Sequence, residues 1–141
     1  MIESVYALLA KVGFTHPLHP ALTHIPMGMV MGCFFFGFLA WYAKKSDFLK
    51  TCLHCSVLAL IFTVPTIVAG IFDWQHRYGG RYETLIVIKM ILAAVLTGLL
   101  GYSIVLNRQG AETKKLFLIY ALCLACAVGL GFSGGQLVYG Q

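Results

Sequence analysis

The chain has 141 residues, of which 60% are hydrophobic and only 11% charged, with mean hydropathy +0.85 and net charge +5. A soluble domain carries about 25% charged residues, so this composition excludes an ordinary water-soluble enzyme domain and points to a membrane. The basic residues flank apolar runs instead of gathering on one face, which excludes a nucleic-acid surface.

The first segment, Met1 to Gly13, contains Glu3 and lacks both a basic start and a small-residue cleavage site, so it does not read as a secretory signal. It reads as a short interfacial helix with Val5, Leu8, Leu9 and Val12 on one apolar face. Four runs follow. Ile25 to Ala43 and Ser56 to Phe72 are uncharged, Leu85 to Leu106 carries only Lys89, and Leu116 to Tyr139 carries no charge. A helix of about 20 apolar residues spans the hydrocarbon, so four spans are expected over about 22–43, 51–73, 84–106 and 115–139. Pro20 and Pro26 bracket the start of the first span, and Pro65 predicts a kink in the second. Gly79-Gly80 makes the turn before the third span, and Gly110 lies in the link before the fourth. Period-two alternation is lacking, which excludes a transmembrane barrel. The fold class is all-α: a single integral membrane domain over 1–141, a four-helix up-down bundle with a short N-terminal interfacial helix.

Basic residues orient the spans. The first connection holds Lys44, Lys45 and Lys50, and the third holds Arg108, Lys114 and Lys115. The opposite face has Lys11, Arg77 and Arg81. This bias predicts a multi-pass protein of the bacterial inner membrane with both termini periplasmic. Cys33, Cys52, Cys55, Cys123 and Cys126 lie within or near spans, so no extracellular disulfide framework is implied. Cys52 to Cys55 and Cys123 to Cys126 have a metal-ligand spacing, but cysteine also serves as a small apolar helix residue.

Four of the five histidines fall at one end. His16, His19 and His24 approach the first span, and His76 closes the second. Antiparallel packing predicts that His24 and His76 meet at similar depth, where two imidazoles suit a b-type haem in a helical bundle. His19 is the reserve ligand. Arg77 and Arg81 suit the haem propionates, and Asp73 suits the second ring nitrogen of a histidine. His54, 22 residues before His76, lies about 33 Å away and reads as an interfacial residue. Lys89 is expected to snorkel outward beside an acidic partner. Met27 and Met31 share a helix face near His24; copper(I) would suit them, and apolar packing is the simpler account. Gly28 and Gly32, and Gly131 and Gly135, are spaced for close helix contact. The bare run Gly129 to Gly135 would also accept a quinone ring.

The chain resembles a bacterial family of four-span membrane proteins catalogued as domain of unknown function 2231. The resemblance rests on His16-Pro17-Leu18-His19-Pro20, His24-Ile25-Pro26, Ala69 to Asp73, and Gly134 to Tyr139. It implies a part of a respiratory or redox system and haem binding. The family tends to carry a further histidine at the start of its third span, where this chain has Leu85 to Lys89, and His76 is the expected substitute. The chain lacks a catalytic dyad, a phosphate loop and a substrate domain, so any role in an oxidoreductase is that of a non-catalytic subunit.

The leading expectation is therefore a membrane electron-transfer subunit with b-type haem near the periplasmic face. It would exchange electrons between quinone and a periplasmic carrier, beside other membrane subunits. The alternative is a cofactor-free membrane anchor or assembly subunit. A metal transporter is a third reading, weakened by the scarcity of buried charge.

Overall fold

The protein is described from a computed structural model, which covers residues 2–13, 16 and 18–139. Of the signature stretches, Pro17 and the side chains of Leu137, Val138 and Tyr139 lie outside the described residues.

Among the described residues five helices follow in order: α1 (Ile2–Lys11), α2 (Leu18–Tyr42), α3 (Asp47–Tyr78), α4 (Thr84–Arg108) and α5 (Thr113–Tyr139). The all-α class, the short N-terminal helix and the four long apolar helices are as expected. α2 packs on α3, α3 on α4, α4 on α5 and α5 on α2, which closes a four-helix ring. The links are short, so successive helices run antiparallel. Gly79 and Gly80 take the left-handed backbone (φ 56° and 72°), and both donate N–H to the Trp74 carbonyl as α3 ends.

At most 33% of any span's most apolar stretch is buried inside the bundle. Phe35, Ile61, Ile91, Leu118, Leu122 and Phe132 are each more than half exposed. Such a continuous apolar exterior belongs in lipid. α3, with 32 residues, is about 48 Å long and outreaches a hydrocarbon layer of about 30 Å. It also runs as one helix through Pro65. Its C-terminal end carries α1, the only partner of α1 with substantial contact among the described residues. On α1, Val5 and Leu9 are half-buried, whereas Leu8 and Val12 are 65% and 77% exposed. The four apolar residues of α1 therefore do not share one environment.

The interior joins small residues to one large ring. Cys33 of α2 meets Cys52 and Ser56 of α3, and the small size of these residues lets the backbones approach. Tyr120 is fully buried, and its ring fills the space left by Gly37, where a Cβ would lie 2.7 Å from Cδ2. Asn107 Nδ2 donates to the Tyr120 hydroxyl at 3.0 Å and to the Leu49 carbonyl at 2.9 Å. Ser103 Oγ donates to Ser56 Oγ, which lies 3.3 Å from Cys33 Sγ. No buried side-chain nitrogen or oxygen among the described residues lacks a partner.

Candidate functional site: a polar clasp at the α1 end

The first N–H groups of a helix have no partner within it. α2 has no acidic residue in its first turn, and the carboxylate comes from α3. Buried Asp73 accepts from Leu18 N at 3.2 Å through Oδ1 and from His19 N at 2.8 Å through Oδ2. Its negative charge sits at the positive end of the α2 dipole. The Tyr6 hydroxyl donates to the same Oδ1, so a single carboxylate ties α1, α2 and α3 together. Burial, followed by the hydrogen bond and charge of Asp73, pushes the Tyr6 phenol above its ordinary range.

His19 turns inward against α3. Its ring lies over Gly70, where a Cβ would be 2.9 Å from Nδ1, so glycine is required for the approach. Nδ1 is 2.9 Å from the Thr66 carbonyl. A carbonyl only accepts, so Nδ1 carries the proton and a neutral His19 keeps its lone pair on Nε2. Asp73 therefore binds the backbone of His19, not its ring as the sequence suggested.

His76 belongs to the α1 side of the clasp. Its Nδ1 is 2.8 Å from Glu3 Oε1, and its ring stacks on Tyr6 with centroids 4.0 Å apart and planes 4° from parallel. Tyr6 and Glu3 were missed by the sequence reading. An amphipathic helix advertises that it packs, but not which long-range carboxylate or imidazole it meets.

The equal depth expected for His24 and His76 does not hold. His19 lies across from Gly70, the Leu22 carbonyl from Thr66, and Cys33 from Ser56. This antiparallel register puts His24 level with about position 65, about 11 residues and about 16 Å from His76 along the bundle. His24 is exposed, as are His16 and His54. Arg77 and Arg81 line a shallow cleft of about 330 Å³ with Tyr78, Gly79 and Glu83 at the α3–α4 turn.

The register thus separates the His24 and His76 imidazoles that were expected to share a haem, whereas His19 has the fixed tautomer of an iron ligand. Among the described residues, no three His, Cys, Asp or Glu side chains are placed to share a metal ion.

Lys89 departs from the expected outward snorkel. It is half-buried, with Nζ 3.5 Å from where a Gly134 Cβ would lie. The glycine-rich end of α5 is likewise partly covered from within, by Leu92 at Gly129 and by the tip of Met27 at Gly131. Gly135 alone of the run meets nothing within 4 Å.

A match to the family described as "Predicted membrane protein (DUF2231)" covers residues 15–141. An uncharacterized protein of Archaeoglobus fulgidus is 29% identical over 91 residues, 63% of this chain and 77% of that one. No solved structure matches.

Proposed function

Since the chain belongs to the DUF2231 family of predicted membrane proteins, we propose that it serves as a membrane-embedded anchor or assembly subunit of a larger complex. The observation that carries this reading is the use made of the outer polar residues. Asp73, His19, Tyr6, His76 and Glu3 spend their hydrogen bonds on fastening helices to one another. They do not converge on a space where a substrate would sit. The bundle offers a rigid scaffold, and its outer end holds α1 with apolar Leu8 and Val12 exposed. The basic bias orients it with residues 44–50 and 107–115 in the cytoplasm and both termini outside. Extraction in mild detergent followed by native mass measurement tests the role. Co-purifying membrane subunits support it, and a solitary chain that carries out redox chemistry unaided refutes it. Labelling of a cysteine at position 110, in a chain without the native cysteines, tests the orientation. Exclusive labelling from outside reverses it.

One observation favours a second reading, the electron-transfer subunit. The His19 tautomer leaves Nε2 able to bind iron. In that reading a b-type haem takes one imidazole from His19 and its other ligand from a partner subunit. Haem supplies one-electron transfer, here between a membrane quinone and a periplasmic carrier. An oxidised and a reduced absorption spectrum of the purified complex decides between the two. Haem bands that vanish in His19→Ala and persist in His54→Ala select the second reading. A folded, haem-free complex selects the first.

A further inference from the structure

The clasp uses none of the five cysteines, all of which are free thiols. Sequence spacing singles out Cys52 with Cys55, which share a helix. The fold instead brings Cys33 of α2 against that pair. Cys33 Sγ lies 3.6 Å from the Cys52 carbonyl, and Cys52 Sγ lies 3.6 Å from the Cys33 carbonyl. The two backbones are therefore within a side chain's reach. Cys55 Sγ rests against Gly32, 3.3 Å from where a Cβ would lie, immediately before Cys33 in the chain. The Cys33 and Cys55 thiols are near enough to influence each other. Ser56 Oγ, 3.3 Å from Cys33 Sγ, helps fix the direction of that thiol.

We propose that Cys33 and Cys55 form an oxidisable thiol pair, which closes to a disulfide that bolts α2 to α3 within the membrane. Each thiol loses its hydrogen and one S–S bond forms. The two electrons and two protons pass to a lipid-soluble quinone, which becomes the hydroquinone. Three features select this pair and this class of oxidant. Cys33 and Cys52 are fully buried, whereas Cys55 is half-buried and is the sulfur an oxidant meets first. Cys55 is eight residues into α3, about 12 Å from its inner end, within reach of an oxidant dissolved in the lipid. The bridge joins α2 and α3, whose backbones come within a side chain's reach of each other here, as a disulfide requires. The proposal is independent of whether the chain serves as an anchor or carries haem.

The test uses the full chain in lipid vesicles exposed to a short-chain benzoquinone, then denatured, alkylated and digested without reduction for mass spectrometry. The expected product carries a Cys33–Cys55 cross-link, with Cys52, Cys123 and Cys126 alkylated. Cys55→Ser, at a half-exposed position, removes the cross-link, and Cys126→Ser leaves it. Five alkylated thiols in the oxidised wild type overturn the proposal. So does a cross-link that joins any other pair or survives in Cys55→Ser.

Discussion

The α1 end of the bundle, here called the outer end, and the opposite, inner end solve one problem in different ways. Both must satisfy polar groups where water is scarce. The outer end uses a carboxylate, which accepts from a phenol and two backbone N–H groups on two other helices. The inner half uses short neutral groups, Ser56, Ser103, Asn107 and Tyr120, each with a partner close by. A charge tolerates burial only when fully hydrogen-bonded, so the outer end stakes more on one residue. The inner half spreads its polar load and depends on shape.

That difference ranks the effects of substitution. Asp73→Ala has the largest, because it strips the acceptor from three donors at once. A loss of about 3 kcal/mol is expected, read as a lower unfolding temperature in detergent together with faster proteolysis near α1. Asp73→Asn keeps the shape and one carbonyl acceptor and recovers part of the loss.

Alanine placed at three glycines compares the ends directly. Gly37→Ala drives a Cβ to 2.7 Å from the buried Tyr120 ring, and overpacking of this kind costs about 1–3 kcal/mol. Gly70→Ala meets His19 Nδ1 at 2.9 Å. The half-buried imidazole can swing away, so the cost is smaller and falls on its bond to Thr66. Gly135→Ala meets nothing within the chain and leaves the stability of the isolated bundle unchanged. Equal losses at positions 37 and 70 would contradict the idea that shape matters more inside.

Tyr6 gives the outer end an alkaline limit. Its folded pKa lies above the ordinary value of about 10. The phenol therefore supports α1 fully below about pH 10, and that support is lost as pH rises further. Hydrogen exchange in α1 should quicken above that pH in the wild type, and Tyr6→Phe should lose this pH dependence while docking more weakly throughout. A small effect belongs to Glu3→Gln. Glu3 is 80% exposed, and a surface pair of this kind contributes about 0–1 kcal/mol. Added salt should reduce the difference from wild type.

Much of this was legible in one dimension. Charge-free runs marked the four long helices, and Gly79-Gly80 marked the end of α3. The outer cluster of His19, Asp73 and His76 was visible as a cluster. Its wiring was not. The spacing that favoured His24 with His76 treated the helix ends as level, whereas α3, about 18 Å longer than the hydrocarbon is thick, runs past the start of α2 to meet α1. Tyr6 and Glu3 looked like ordinary residues of a surface helix because their partners lie 67 and 73 positions away.

The sequence by itself determined the class of fold, since an uncharged run of sufficient length has to satisfy its backbone as a helix in lipid. Tertiary structure alone decided which faces of those helices point inward. The spans are apolar on nearly every side, so hydropathy favours no rotation. Rotation and register follow from where small residues let backbones meet: Gly70 under His19, Gly37 under Tyr120, Gly32 beside Cys55. Those contacts turn His19 inward and leave His24 exposed, and they set Cys33 against Cys55. Close packing between helices is a property of pairs of surfaces, and it is written in neither sequence segment alone.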